Sequence, residues 1–288
     1  GFSNSLKLDC TTADTSLASA DALLIESRIE AQNLQRLKYG TSSAESITLS
    51  FWVRSNLTGT YAVWFYQEDD NRSASKTYTI NSADTWEHKS ITVSGDQTGV
   101  IDNDNGIGFR IGWYLGSGTS YTSGTANTDW QTLDNTNRAA GVNVNLASST
   151  SNEWYLTGVQ LEIGDVATAF EHRSFGDELA RCQRYYYRID HSNTTGQIAL
   201  GHQLDADDII AAFHLPQPLR ATPTISFDKV RIHHNNTSEE GNFTCNNIYL
   251  NQNMLGLNFD TSSTPFTSDQ SCAISVNANG YLEVIAEL

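Results

Sequence analysis

Apolar and polar residues alternate with a period of two along most of the chain. In the stretch ESITLSFWVRS, the apolar face consists of Ile47, Leu49, Phe51 and Val53. Such alternation is typical of a β-strand that buries one face. The same pattern predicts strands in TYAVWFYQED, KTYTINS, TWEHKSITVSG, IGFRIGWYLG, VNVNLAS and EWYLTGVQLEIG. Because clusters of Gly, Ser, Thr, Asn and Asp separate these segments, the first half is predicted to form a sandwich or jelly roll. Residues 21–37 depart from the pattern: DALLIESRIE predicts a strand, and AQNLQRL predicts one or two helical turns.

The second half has a different composition, since all four prolines lie beyond residue 215 and all six tryptophans lie before residue 175. Strands are predicted in GQIALGH, DIIAAFHL, TPTISFDKV, NFTCNNIYLN and MLGLNFD. CAISVNANGYLEVIAEL predicts a hairpin folded at 277–280, because Asn-Gly supplies the positive φ angles of a tight turn. LPQPLRATP is predicted to be an edge or a crossing loop, since its prolines donate no hydrogen bonds.

A joint lies between these halves, in GVQLEIGDVATAFEHRSFGDELARCQRYYYR. Gly176 and Asp177 are predicted to cap a short helix over 177–184. Leu179, Cys182 and Tyr186 share one face of that helix by their i, i+3 and i+7 spacing. RYYYRI then resumes as a strand, because aromatic residues suit a pleated surface.

Length supports two domains, because 288 residues suffice for two cores of ordinary size. The predicted fold is all-β: an N-terminal jelly-roll sandwich over 1–174, joined by the short helix to a smaller C-terminal β-sandwich over 175–288. No apolar run is long enough to cross a bilayer, and GFSNSLKLDC lacks the pattern of a secretory signal. We therefore expect no membrane insertion.

Net charge is −16, with the acidic excess shared by both halves. Neither half has the basic surface of a nucleic-acid-binding protein, so no nucleic-acid partner is expected. The four cysteines, Cys10, Cys182, Cys245 and Cys272, form no CxxC pair, which argues against a zinc site. Cys245 and Cys272 could pair if their strands are neighbours, and isolated buried thiols are the alternative.

Two longer stretches resemble a known family. They are SITLSFWVRSNLTGTYAVWFYQEDDNRSASKTYTINSADTWEHKSITVSGDQTGV and YLTGVQLEIGDVATAFEHRSFGDELARCQRYY. Both are similar to a recurrent module of tail fibres and other receptor-binding structural proteins of tailed bacteriophages, and the match spans roughly residues 5–188. LPQPLRATPTISF is similar to a strand-entry motif in the distal domains of such fibres. Ala169 stands where the family usually has proline, which puts the rigidity of the joint in question.

The resemblance implies a jelly-roll domain like a carbohydrate-binding module and a small distal β-domain, commonly in a homotrimer. It implies a place in the virion tail, with other tail proteins and a host surface glycan or protein as partners. If Leu179 and Cys182 line a threefold axis, the joint becomes the trimer interface, and Tyr186 buries against a neighbouring subunit.

Catalytic chemistry has no support in the sequence. The carboxylates at 68–70 lie in a turn-like stretch and are interpreted as solvated loop charges. No GxSxG, HExxH, P-loop or dinucleotide motif is present, so neither an enzyme activity nor a cofactor is expected. The adjacent His233 and His234 would point to opposite faces of a strand, and DNDNG at 102–106 is interpreted as an Asn/Asp turn, so no metal site is expected.

Sugar binding requires exposed aromatic rings with amide or carboxylate groups around them. Trp130 lies in the polar loop GSGTSYTSGTANTDWQTLDNTNR together with Tyr121 and Asp129. These three residues are the predicted ligand-binding candidates. The other tryptophans lie in or beside strands, and each is interpreted as a core residue: Trp52, Trp64, Trp86, Trp113 and Trp154.

The expected function is attachment of a virion to a bacterial surface by a trimeric tail fibre or receptor-binding protein. Two alternatives remain at this point. One is a structural adaptor or decoration protein of the capsid or tail, in which the domains bind other virion subunits. The other is a surface-polysaccharide depolymerase, which requires paired carboxylates at a cleft.

Overall fold

The structure is a computed structural model, which describes residues 1–191, 193–203, 208–234, 237–240, 244–251, 254–260 and 271–288. The chain divides into two compact units, Gly1–Glu171 together with Leu288, and His172–Glu287. Antiparallel sheets make up both units, which confirms the predicted all-β class. No helix among the described residues is long and apolar enough to span a membrane.

The first unit, which is described throughout residues 1–171, is a sandwich of two antiparallel sheets. Its strands are β1 (Leu6–Asp9), β2 (Ala22–Glu30), β3 (Ile47–Ser55), β4 (Gly59–Gln67), β5 (Arg72–Ile80), β6 (Glu87–Val93), β7 (Ile107–Ser117), β8 (Gln131–Thr132) and β9 (Glu153–Ile163). The four-stranded sheet has the order β1-β9-β3-β6, and the five-stranded sheet has the order β2-β7-β4-β5-β8.

One apolar core lies between these two sheets. The four alternating apolar residues of β3 are buried in it, as the period-two pattern predicts. Phe51 of the four-stranded sheet packs edge-on against Tyr78 and Trp113 of the five-stranded sheet, with ring centroids 5.2 and 5.9 Å apart. Aromatic contacts of this kind join the two layers.

Short helical segments connect the strands. A 3-10 helix at Ala31–Leu37 follows β2, which confirms the prediction for residues 21–37, and the four-residue α1 (Thr119–Thr122) follows β7. The strand predicted in VNVNLAS is wrong, because a 3-10 helix forms at Leu146–Ser148 instead. The side chain of Asn145 accepts a hydrogen bond from the Ala147 N–H at 2.9 Å and so caps this helix.

The described residues of the second unit form one antiparallel sheet of eight strands. They are β10 (Tyr186–His191), β11 (Gly196–Gln203), β12 (Asp208–His214), β13 (Thr224–His234), β14 (Thr237–Glu240), β15 (Thr244–Asn251), β16 (Met254–Asp260) and β17 (Ser271–Ile285). The order is β14-β13-β17-β11-β12-β16-β15, and β10 also pairs with β17. β13 and β15 are far apart in this order, yet Cα atoms of the two strands lie within 8 Å of each other. The sheet therefore curls around a core of its own. LPQPLRATP forms a loop between β12 and β13, as predicted.

The hairpin predicted at 277–280 is wrong, because β17 runs through this segment as one strand. Asn279 has a φ of +60° and Lys229, in the neighbouring β13, a φ of +51°. The register between the two strands jumps here, from Asp228 opposite Tyr281 to Val230 opposite Val276. The positive φ at Asn279 therefore produces a bulge instead of a turn.

A short helix, α2 (Phe175–Gln183), begins two residues before the predicted start and precedes β10. Its N-cap is Ser174, so the prediction of Gly176 and Asp177 as caps is wrong. The Ser174 hydroxyl accepts from the Asp177 N–H at 3.1 Å and donates to the Asp177 carboxylate at 2.6 Å. This reciprocal pairing resembles a capping box, in which a polar side chain at the third helical position stabilises the cap.

All four cysteines have free thiols in the structure. Cys245 lies opposite Phe259 on β16, whereas Cys272 lies opposite Gly201 on β11, so their strands are not neighbours. Burial raises the pKa of Cys245 to about 12 and that of Cys272 to about 11. Of the two alternatives, the structure therefore has isolated thiols, held in their protonated form.

Candidate functional site

Aromatic side chains are exposed on the outer surface of the four-stranded sheet. Trp52 of β3 and Trp86, which immediately precedes β6, are each 37% exposed. The Trp52 ring centroid lies 5.2 Å from that of His88, and the Trp86 centroid lies 6.2 Å from that of Tyr155. Arg54 places its guanidinium carbon 5.1 Å from the Tyr155 ring centroid. We call these five residues the exposed aromatic face.

Strand register arranges this face in two neighbouring groups. Trp52 lies opposite His88 on β6, and Arg54 lies opposite Tyr155 on β9. Successive outward residues on one strand are about 7 Å apart, at about 3.4 Å per residue. Trp52 with His88 and Tyr155 with Trp86 therefore form two adjacent platforms along the direction of β3.

Charged groups around the platforms are paired but remain accessible to solvent. Arg54 contacts the Asp84 carboxylate at 3.2 Å, and Lys7 contacts the Glu153 carboxylate at 2.8 Å. The hydrogen bond from Lys7 lowers the pKa of Glu153 below its ordinary value. The rings are therefore bordered by ionised donors and acceptors whose charges largely cancel.

A hydrogen-bonded turn positions Trp86 beside the sheet. The Glu87 carboxylate accepts from the backbone N–H groups of Asn81 and Ser82, at 2.8 and 2.9 Å, and from Lys89 at 2.6 Å. Burial acts to raise the pKa of Glu87, but these hydrogen bonds outweigh it and lower the pKa to about 2. Glu87 stays ionised at neutral pH and fixes the turn.

The face has the chemistry of a carbohydrate-binding surface. Exposed rings stack on the C–H faces of sugars, while arginine and carboxylate groups bind the hydroxyls. Exposed apolar rings grouped on one surface also mark interaction sites in general. The arrangement offers binding through stacking and planar hydrogen bonds.

The prediction that Trp52 and Trp86 are core residues is wrong, whereas Trp64, Trp113 and Trp154 are buried as expected. The strand pattern contained a signal for Trp52. Trp52 falls on the polar face of β3, out of phase with the buried apolar residues. Trp86 carries no such signal, because it lies in the turn before β6.

Trp130 is not a surface aromatic residue, so this expectation is wrong. Its side chain is 7% exposed and packs against Tyr39 and Phe109, with ring centroids 5.7 and 5.5 Å away. Its indole N–H donates to the Ser94 carbonyl at 2.8 Å. Trp130 therefore fastens its loop to the interior of the sandwich, and its ring offers no platform to a ligand.

Tyr121 and Asp129 contact different parts of the first unit. Tyr121, in α1, is half-buried and packs against Tyr114 with ring centroids 6.4 Å apart. Asp129 is exposed and accepts a hydrogen bond from the Ser94 hydroxyl at 2.8 Å. Ligand binding by either residue stays a prediction.

The carboxylates at 68–70 bind groups of a neighbouring strand and of the loop that precedes it. Glu68 pairs with Arg110 at 2.5 Å, while the Asp69 and Asp70 carboxylates accept from backbone N–H groups at 102 and 100. Partial burial, followed by the neighbouring acids, raises the pKa of Asp69. In DNDNG, Asp104 accepts from the Gly106 N–H at 2.8 Å, as in an Asn/Asp turn.

No group of three or more His, Cys, Asp or Glu residues in the described segments is arranged to hold a metal ion. The His233 ring contacts the Ser275 hydroxyl at 2.7 Å. The side chain of His234 lies outside the described part of the chain.

The residues predicted to form a trimer interface do not share one helix. Leu179 and Cys182 are exposed on α2, but this helix ends at Gln183, and Tyr186 belongs to β10. The Tyr186 hydroxyl donates to the Glu283 carboxylate at 2.6 Å. The predicted helical face is therefore limited to Leu179 and Cys182, and their role in a trimer stays a prediction.

Comparison with known proteins gives no family for the chain. No protein-family model matches it, and no curated protein matches it. A similar solved chain comes from the X-ray structure of Melon necrotic spot virus, with 10% identity, a TM-score of 0.16, and coverage of 98% of this chain and 96% of that chain. Because this TM-score is far below that of proteins with the same fold, the similarity gives no evidence of a shared fold or function.

Proposed function

We propose that the chain is a tail fibre or receptor-binding protein of a tailed bacteriophage, which attaches the virion to a glycan or protein on the bacterial surface. The resemblance of residues 5–188 to such proteins suggests the setting. The exposed aromatic face is the observation that carries the proposal. Two partly exposed tryptophans lie beside charged groups that can form hydrogen bonds. They are on the outer side of a sheet whose inner side packs against the core.

The mechanism is binding without chemistry. Each copy stacks a surface sugar on Trp52 or Trp86 and binds its hydroxyls through Arg54 and Asp84. Single contacts of this kind are weak, but three sites on one particle raise the effective concentration and give high avidity. A homotrimer joined near Leu179 and Cys182, both exposed on α2, would supply the three sites. Light scattering should then give about three times the 31.7 kDa mass of one chain.

The decisive experiment measures binding of the full chain to an array of neutral oligosaccharides from bacterial capsules and O-antigens. We expect Trp52→Ala and Trp86→Ala each to weaken binding at least tenfold, because each removes a stacking platform. Val100→Ala is the matched control, since Val100 is also exposed in the first unit but lies outside the face. It should bind within twofold of the unchanged chain.

A parallel assay separates a glycan receptor from a protein receptor. Labelled chain is added to a panel of bacterial strains treated with periodate, which oxidises glycans, or with protease. Loss after periodate alone indicates a glycan. Absence of binding to both array and cells, or equal binding by the tryptophan variants and Val100→Ala, would contradict the proposal.

A structural adaptor of the capsid or tail is the second candidate, and one observation favours it. Phe175 at the start of α2 is 82% exposed, and Val166 is 70% exposed. Exposed apolar side chains suit contact with another protein subunit. If Phe175→Ser abolishes incorporation into particles while Trp52→Ala leaves attachment intact, the adaptor function is preferred.

A further inference from the structure

An arginine is surrounded by aromatic rings on the outer surface of the five-stranded sheet. The guanidinium carbon of Arg138 lies 3.9 Å from the ring centroid of Trp64, 5.3 Å from that of Tyr121 and 5.7 Å from that of Tyr114. Tyr66 stacks on Trp64, with ring centroids 5.0 Å apart and an angle of 11° between the rings. We call these five residues the Arg138 cluster.

Hydrogen bonds fix the backbone that carries this arginine. The Ser75 hydroxyl of β5 donates to the Arg138 carbonyl at 2.9 Å. The N–H of Ala139 donates to the Tyr121 carbonyl, also at 2.9 Å. The other three rings of the cluster belong to β4 and β7, which pair in the same sheet. The cluster is therefore built from two paired strands and a loop that is tied to the sheet.

Among the described residues, Arg138, like the exposed Arg36, has no carboxylate partner, whereas the other four arginines of the sandwich each have one. Arg28, Arg54, Arg72 and Arg110 each have a carboxylate within 3.2 Å. Within the described residues, no carboxylate forms an ion pair with Arg138. Its side chain has a long hydrogen bond, at 3.4 Å, to the amide oxygen of a neighbouring asparagine.

Three polar atoms of the cluster are buried without a hydrogen-bond partner: Nε of Arg138, Nε1 of Trp64 and the hydroxyl of Tyr114. Trp64 is 3% exposed, and Tyr114 is fully buried. The Tyr114 hydroxyl faces the guanidinium, but no hydrogen bond of normal geometry joins them. Guanidinium and indole N–H groups only donate, so the missing partner is an acceptor. A buried donor without an acceptor lowers stability, so an acceptor supplied by a ligand would be favourable here.

We propose that the Arg138 cluster binds the carboxylate of an acidic sugar, such as a uronic acid or a sialic acid. A guanidinium pairs with a carboxylate through two parallel hydrogen bonds, which matches the unpaired state of Arg138. The half-buried ring of Tyr121 lies 5.3 Å from the guanidinium carbon, and the half-buried ring of Tyr66 stacks on Trp64, so both are placed to contact the C–H face of the sugar.

This inference rests on the proposed function only in taking a carbohydrate as the ligand. The two sites lie on different sheets of the sandwich and differ in charge. The exposed aromatic face pairs its cations with acids and suits neutral sugars, whereas the Arg138 cluster has a cation without a carboxylate. One chain would thus recognise two features of an acidic polysaccharide.

Calorimetric titration of the full chain with trigalacturonate and 3′-sialyllactose tests the inference, with the methyl ester of each as the uncharged match. We expect both acids to bind, and the esters to bind at least tenfold more weakly. Arg138→Gln should weaken binding of the acids at least tenfold. Arg138→Lys should have an intermediate effect, because it keeps the charge but loses the planar fork. Arg36→Gln, at an exposed arginine outside the cluster, should stay within twofold.

A second variant separates ligand binding from support of the loop. Tyr114→Phe keeps the ring and removes the unpartnered hydroxyl, so a purely structural cluster would show an equal or higher melting temperature and nothing else. If the cluster binds acidic sugars, Tyr114→Phe should also bind the two acids several-fold more weakly. Failure of both acids to bind at millimolar concentration, or unchanged binding by Arg138→Gln, would overturn it. Trp52→Ala tests the proposed function separately, since it should weaken neutral glycans and leave the acid-dependent binding unchanged.

Discussion

The outer surfaces of the two sheets of the first unit have similar side chains, but these side chains are exposed on one sheet and buried on the other. Each has tryptophan and tyrosine residues on neighbouring strands and an arginine over one of their rings. On the four-stranded sheet Trp52 and Trp86 stay exposed, whereas on the five-stranded sheet Trp64 is buried. The difference comes from the chain between β7 and β9, whose residues 121, 133, 139 and 142 pack on the five-stranded sheet. Exposure of an aromatic residue is thus decided by a covering loop, which the strand itself does not encode.

Trp130 is the anchor of that loop, and its replacement should have the largest effect. Trp130→Ala removes a buried ring and its hydrogen bond to Ser94, so we expect the first unit to lose about 3–5 kcal/mol of unfolding free energy. Trp52→Ala, on the open surface, should cost no more than about 1 kcal/mol. Urea denaturation followed by circular dichroism measures both. Similar losses of unfolding free energy for the two variants would contradict a buried role for Trp130 and an exposed one for Trp52.

A buried ion pair also holds the covering loop, and breaking it should have the next largest effect. The Asp96 carboxylate accepts from Arg72 at 2.5 and 3.1 Å and from Gln67 at 2.7 Å, and Arg72 also donates to the Trp130 carbonyl at 3.0 Å. Removing one partner of a buried pair typically costs about 3–5 kcal/mol. We expect Asp96→Ala to fall at the lower end, because Arg72 remains partly exposed. Asp84→Ala is the exposed control, with an expected loss below about 1 kcal/mol.

The same ion pair predicts a dependence of stability on pH. Burial acts to raise the pKa of Asp96, but hydrogen bonds from Arg72, from backbone N–H groups and from Gln67 outweigh it and lower the pKa below its ordinary value. A lowered folded-state pKa contributes stability above the unfolded-state value, and this contribution is lost as the pH falls through the folded value. The urea midpoint should therefore fall below about pH 4 in the unchanged chain. Asp96→Ala should lose this part of the acid dependence, and an unaltered profile would contradict the assignment.

Local sequence pattern was sufficient for most strands, since burial of alternate residues is a local property. β3 shows this, because its four apolar residues are all buried as the period of two predicts. The bulge at Asn279 was missed because Asn-Gly satisfies the backbone of a tight turn and of a bulge equally well. The choice between them depends on pairing with β13, a strand about 50 residues earlier in the chain.

The candidate site was much less predictable than the fold. Trp130 lies in a polar loop, so its sequence context indicated exposure, but distant residues of the core enclose it. The position of Trp86 beside a strand predicts a core residue, although a turn held by Glu87 directs it to the surface. Both errors concern where a loop packs, which depends on contacts between residues that are far apart in sequence.

The smallest expected effect concerns Arg54 of the exposed aromatic face and its ion-pair partner Asp84, and it sharpens the contrast with Arg72 and Asp96. A double-mutant cycle with Arg54→Gln and Asp84→Asn should give a coupling free energy of about 0.2–1 kcal/mol. Because both side chains reach solvent, salt should screen this coupling, and it should shrink toward zero at about 1 M NaCl, where the Debye length is about 3 Å. The cycle for Arg72→Gln and Asp96→Asn should give a larger coupling that salt changes little, since the Asp96 carboxylate is buried. A salt-insensitive coupling for the exposed pair would place Arg54 and Asp84 in the structural framework, and would leave the tryptophans as the part of the face that is free to bind a ligand.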